Sequence, residues 1–130
     1  MTERMRLSVM DGMFLLADTR ETPMHVGGLQ IFRVPPGSSP HFVSMLAATL
    51  RACPVSVPPL NYRLSEGLAG KVMPSWEVVD DVDLDYHFRH SALPRPGGER
   101  ELGALVSRLH SNPMDLSRPL WEYHLIEGLA

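Results

Sequence analysis

Six histidines supply this 130-residue sequence with candidates for moving a proton near neutral pH, and its one cysteine, Cys53, is its softest nucleophile. His25 stands out among them, because Pro23-Met24-His25-Val26-Gly27-Gly28 sets it beside two glycines, and glycine lets a ligand approach the backbone closely. His25 is therefore expected to line a substrate pocket. The plainer alternative is a structural histidine, and the sequence names no acid to orient the ring. Asp81, Asp83 and Asp85 match positions one, three and five of a calcium loop, but position six is Tyr86 instead of glycine and position twelve is Ala92 instead of a bidentate glutamate. They are expected on the solvated face of a strand. His87 and His90, three apart on that strand, point to opposite faces, and Cys53 has no partner cysteine, so no metal site is expected. Cys53 falls in an apolar helical stripe, where cysteine behaves as a small hydrophobe. There is no Gly-x-Ser-x-Gly elbow, Walker loop or dinucleotide fingerprint.

The elements that would position these residues follow from capping and periodicity. Ser8-Val9-Met10-Asp11 reads as a capping box and predicts a helix to about Ala17. Met24 to Val34, rich in Val, Leu, Ile and Phe, reads as a first strand, and the loop Pro35 to Pro40 leads into a second helix. Phe42, Met45, Leu46, Thr49, Leu50 and Cys53 share one face of that helix, which should be core, and prolines 54, 58 and 59 end it. Short extended segments are expected over Asn61 to Leu64 and Lys71 to Val79. A clearer strand is expected over Asp81 to Arg89, where Val82, Leu84, Tyr86 and Phe88 alternate with polar residues. Leu102, Leu105, Val106 and Leu109 mark a third helix ending near His110. A last strand, Trp121 to Ile126, begins just past Pro119, with Trp121 as a core aromatic at its start.

The whole chain fits one globular unit: 44% of residues are hydrophobic and 21% charged. A net charge of -3 without a Lys/Arg cluster gives no means of holding a phosphate backbone, so nucleic acid is not expected as a partner. The amino terminus MTERMRLSVMDG lacks the apolar core of a signal peptide, and no stretch reaches the roughly 18 apolar residues of a membrane span. A cytoplasmic protein with peripheral membrane contact at most is expected.

Taken in order, Leu7-Ser8-Val9-Met10-Asp11, Glu21-Thr22-Pro23-Met24-His25-Val26-Gly27, Leu84 to Pro94 and Arg118-Pro119-Leu120-Trp121-Glu122 resemble the wax ester synthase/diacylglycerol acyltransferase family over nearly the whole chain. The resemblance implies an α/β (α+β) fold, part of a chloramphenicol acetyltransferase-like domain, with a mixed sheet and about three helices. The 130 residues would be the amino-terminal part of that domain, without its remainder or the second domain. It also implies O-acyl transfer from acyl-CoA to a diacylglycerol or long-chain alcohol, making triacylglycerol or wax ester, at the inner membrane or a lipid droplet. Acyl-CoA would be a co-substrate; no cofactor is implied.

In that family a His-His-x-x-x-Asp-Gly motif, on the loop after the strand matching Trp121 to Ile126, does the chemistry. Its second histidine is the general base on the acceptor hydroxyl. The motif does not occur in these 130 residues, so the resemblance carries over no catalytic residue and no metal ligand. Pro119, Leu120 and Trp121 match a motif of structural role. His124-Leu125-Ile126-Glu127-Gly128 is a decoy: it lacks the paired histidine, and His124 and Glu127 face oppositely on a strand.

The chain alone is accordingly expected to be inactive and marginally stable, with self-association through exposed strand edges. A different reading is a non-catalytic lipid-binding or interaction module of the same fold. A third is a peptide-condensation branch, with which Met114 to Leu120 has affinity and against which Pro23-Met24-His25-Val26-Gly27 argues.

Overall fold

The computed structural model describes residues 3–66 and 72–130. Contacts divide the chain into two compact units, one comprising Met1–His25, Val55–Asp83 and Ser111–Trp121, the other Val26–Pro54, Leu84–His110 and Glu122–Ala130.

The first unit is built on a three-stranded antiparallel sheet in the order β1-β3-β2, with β1 at Arg4–Arg6, β2 at Tyr62–Leu64 and β3 at Ser75–Val78. Both edge strands align on Glu77: Arg4 pairs with it from β1 and Arg63 from β2. Alternation puts those three side chains on one face and the neighbouring row, Met5, Trp76 and Leu64, on the other. The sheet thus carries a charged row on one face and an apolar row on the other. Helix α1, Val9–Ala17, follows β1 and starts as expected: Ser8 Oγ accepts the Asp11 N–H at 3.0 Å. Leu15 is half-buried, but Val9, Met10, Met13, Phe14 and Leu16 are all exposed.

The second unit pairs β4, Phe88–Ala92, with β5, Tyr123–Glu127, in parallel, Phe88 opposite Tyr123 and Ala92 opposite Glu127. The parallel crossover is made by helix α4, Glu99–Ser111, whose Leu102 is buried and whose Leu105, Val106 and Leu109 are half-buried, as their spacing predicted. Phe88 is buried between neighbours from two elements. Its ring stacks on Tyr123 with centroids 5.5 Å apart, and the Arg51 guanidinium lies 5.5 Å from its centroid. The loop before α4 and the residues after β5 are tied backbone to backbone: Leu93 N–H donates to Glu127 O and Ala130 N–H to Gly97 O, each at 2.8 Å. Gly97 and Gly128 adopt φ of 73° and 89°, where a side chain is strained, and a Cβ on Gly97 would fall on the Gly128 carbonyl oxygen.

Four expectations need correction. Met24 to Val34 forms no ladder, since no described strand presents its backbone to it; Val26 is 91% exposed and Phe32 81%. Asp81 to Arg89 is not a strand: Leu84–His87 makes one helical turn, α3, before β4 begins at Phe88. The acidic residues crowd the amino end of that turn, where the helix dipole favours them, and Leu84, His87 and Phe88 share its face at helical spacing. Helix α2, Phe42–Arg51, is rotated relative to its predicted core face. Ala47 is buried and Val43 and Leu50 half-buried, whereas Met45 is 62% exposed and Thr49 and Cys53 lie at the surface. The small Ala47 side chain permits close approach on that side, and Cys53 merely donates its thiol hydrogen to Thr49 O at 3.3 Å. The extended segments near Asn61 to Leu64 and Lys71 to Val79 appear as β2 and β3, Lys71 lying outside the described residues. The parallel and antiparallel pairing expected in one mixed sheet is divided between two sheets.

Candidate functional site

Two groups of side chains have geometry suited to positioning. In the first unit, the segment Asp115 to Trp121 is locked by its own polar residues. Asp115 Oδ1 accepts the Ser117 backbone N–H at 3.0 Å and the Ser117 hydroxyl at 2.6 Å, a closed turn that sequence spacing alone can build. Arg118 then spans outward, its Nε 3.3 Å from Asp115 Oδ2 and its Nη1 3.1 Å from Asp83 Oδ2. Pro119 is buried, Trp121 N–H donates to Pro119 O, and the indole Nε1–H donates to Leu60 O at 2.7 Å. The three residues Pro119, Leu120 and Trp121 are therefore held from both sides: by a bridging guanidinium before them and by an indole anchor at their end.

The Ser117 hydroxyl and N–H hold the Asp115 carboxyl below the usual aspartate range; slight burial opposes this, and Arg118 adds to it. A carboxyl depressed in the folded state stabilises the fold above its unfolded value and loses that contribution as pH falls through the folded one. The turn should therefore loosen below about pH 4. Acid titration of the urea midpoint is expected to fall less steeply in Asp115→Asn than in the parent chain, and equal slopes would deny Asp115 this role. Trp121→Phe keeps the ring and removes the donor to Leu60 O; a loss of about 1 kcal/mol in urea unfolding is expected, typical of one hydrogen bond.

In the second unit, β4 and β5 bring together two histidine–carboxylate pairs. His124 Nε2 lies 2.9 Å from Glu122 Oε2, and since a carboxylate only accepts, the hydrogen bond is made by an Nε2–H donor. His90 Nε2 lies 3.4 Å from Glu127 Oε2, a diagonal contact between neighbouring strands, as His90 is in register with Leu125 and Glu127 with Ala92. His124 and Glu127 thus take different partners, as their opposite faces required.

His25 is half-buried on the segment after α1, where Asp18 Oδ1 accepts the Met24 N–H at 2.8 Å. His87 is 1% exposed and meets the Tyr86 ring edge-on, so it belongs to the interior. Among the described residues no group of three His, Cys, Asp or Glu side chains could hold a metal ion. Sequence reasoning overlooked Arg118 as a bridge and both histidine–carboxylate pairs. The Asp115-x-Ser117 turn is a local motif that was also missed; Asp83 and Arg118, 35 residues apart, carried no local signal.

Against known proteins, residues 7–130 match the family model of the wax ester synthase/diacylglycerol acyltransferase catalytic domain. A putative diacylglycerol O-acyltransferase of Mycobacterium bovis is 45% identical over 119 residues, which make up 92% of this chain and 26% of that protein. Another, of Mycobacterium tuberculosis, is 49% identical over 125 residues, 95% of this chain and 25% of that protein. In three dimensions the chain is similar to a wax ester synthase/diacylglycerol acyltransferase from Marinobacter aquaeolei, with a TM-score of 0.88 at 46% identity, covering 96% of this chain and 30% of the other. The chain spans about a quarter of the length of the relatives it matches.

Proposed function

Because the chain belongs to the wax ester synthase/diacylglycerol acyltransferase family, we propose that it serves O-acyl transfer from acyl-CoA to a diacylglycerol or long-chain alcohol, yielding triacylglycerol or wax ester. In this reaction the acceptor hydroxyl oxygen bonds to the thioester carbonyl carbon, the carbon–sulfur bond breaks, and the hydroxyl proton passes through a base to the departing thiolate. The family's paired-histidine base is absent from these 130 residues, so their role is to build and position. Arg118 and Trp121 fix the Pro119-Leu120-Trp121 segment from which β5 departs. That doubly anchored segment is the observation that most supports the reading. His25, three residues before a Gly28 with open space beside it, lines the substrate pocket. The protein works peripherally at the inner membrane face or a lipid droplet, where such acceptors are dissolved; no described helix is long and apolar enough to cross a membrane.

The test uses labelled palmitoyl-CoA and diolein, with the 130-residue chain alone and with the chain fused to the remaining length of the Marinobacter enzyme. Ester formation by the fusion alone is the expected result. Esterification by the isolated chain would overturn its positioning role, and a silent, folded fusion would overturn the enzymatic reading.

The exposed apolar stretch Val26 to Val34 and the exposed residues of α1 favour a second reading, a non-catalytic lipid-binding or interaction module. It predicts a stable oligomer by sedimentation and no ester formation by any fusion.

A further inference from the structure

The polar face of the β1-β3-β2 sheet holds more positive charge than its ladder uses. Arg4 and Arg6 lie two residues apart on β1 and so share that face, with Arg6 opposite Ser75. The buried carboxylate there, Glu77, is already shared: Arg4 Nε lies 3.0 Å from Oε1 and Arg63 Nη2 3.6 Å from Oε2. Arg4 keeps its terminal nitrogens beyond that contact, and Arg6 has no ion pair among the described residues. Beside them opens a groove of about 550 Å³, lined by Arg4, Arg6, Ser65 and Ser75 together with apolar residues including Val72 and Met73. Ser65 Oγ accepts the Ser75 N–H at 3.2 Å, which orients the hydroxyl and leaves its own proton for an acceptor in the groove. Val72 and Met73 are exposed and present their side chains for contact.

Two guanidinium forks and a hydroxyl donor match the oxygens of a phosphate group, and planar guanidinium recognises such oxygens in pairs. The apolar part of the lining has no use for a free anion; it suits a hydrocarbon attached to one. The geometry points to a binding site for an organophosphate with an apolar body. Arg6 and Arg4 take the phosphate, Ser65 adds a hydrogen bond, and Val72 and Met73 cover the chain. This site is independent of the acyl-transfer reading, since it requires only binding.

Calorimetric titration of the 130-residue chain with dodecyl phosphate tests it, against inorganic phosphate and the neutral dodecyl maltoside below their critical micelle concentrations. Dodecyl phosphate should bind at least tenfold more tightly than either. Arg6→Gln changes an exposed side chain outside the Glu77 ladder and should weaken binding at least tenfold, while Arg20→Gln leaves it unchanged. Val72→Glu, which sets a carboxylate in the apolar part of the lining, should do the same as Arg6→Gln. Equal binding by Arg6→Gln and the parent chain, or equal affinity for the maltoside, would overturn the assignment. Two further probes separate the sources of such a ligand. Binding of monomeric lysophosphatidate without sedimentation on phosphatidate vesicles identifies a soluble amphiphile, and the converse identifies a lipid headgroup in a bilayer; either supports the site. Failure of both probes and of dodecyl phosphate would remove it.

Discussion

Replacing Phe88 by alanine should cost the fold about 3–5 kcal/mol, the range for truncating a large buried aromatic. Phe88 is among the few large side chains that the second unit buries, and it has two ring-face neighbours: Tyr123 in register across the parallel pair, and the Arg51 guanidinium carried by α2. Truncation would open a cavity at the start of β4 and leave both neighbours without a surface to lie on. Small domains commonly have about 5–15 kcal/mol in total. A chain at the lower end of that range would be largely unfolded by the substitution. The expected observation is loss of the cooperative urea transition, or a strong fall in its midpoint, alongside an unchanged parent chain. Phe88→Leu, which keeps most of the volume, should retain the transition. A Phe88→Ala midpoint within experimental error of the parent would show that the ring is not a keystone of this unit.

The second large effect is expected at Glu77. Its side chain is 8% exposed and lies between two guanidiniums, whose own side chains are 55% exposed for Arg4 and 36% for Arg63. Removing one partner from a fully buried ion pair costs about 3–5 kcal/mol, chiefly because the remaining charge is stranded. Here the stranded arginines can turn toward water, so Glu77→Ala should cost less, about 2 kcal/mol. Glu77→Gln keeps an oxygen for Arg4 but loses the charge, and should fall between Glu77→Ala and the parent. The order Glu, Gln, Ala in urea midpoint is the check. Were Glu77→Ala to shift stability by less than about 0.5 kcal/mol, as an ordinary surface change does, the ladder would be decoration on the sheet.

What could be read in the sequence was whatever is decided within a few residues. Ser8 and Asp11 announced α1 because a cap is a local hydrogen bond, and Leu102, Leu105, Val106 and Leu109 announced α4 because one helix contains its whole period. The Asp115–Ser117 turn is equally local, though it was not foreseen. Errors came where a partner decides. Val26 to Val34 has the composition of a strand, yet strands exist only by pairing, and no described neighbour supplies the backbone. The run Leu84, Tyr86, Phe88 satisfies a period of two, but Leu84, His87 and Phe88 satisfy a helical turn equally well, and three aspartates at its amino end favour the turn. On α2 two faces were apolar enough, and the sequence could not say that Ala47 would be chosen over Met45. The candidate site divided likewise: the resemblance located Pro119, Leu120 and Trp121, but their anchors, Asp83 and Leu60, lie 35 and 61 residues away from Arg118 and Trp121.

The contact between Gly97 and Gly128 sets a limit on how this chain can diverge. The heading taken by residues 128–130 depends on one hydrogen atom standing where every other amino acid has a carbon, and the group in its way is peptide backbone, which cannot swing aside as a side chain would. Most surface loops drift freely among related sequences because their side chains face water. At position 97 even alanine, the smallest step from glycine, would have to displace the end of β5 or abandon the bond from Ala130 to the Gly97 carbonyl. Gly97, buried at the end of an exposed turn, thus has the mutational rigidity of a core position, and for a reason that involves no side chain.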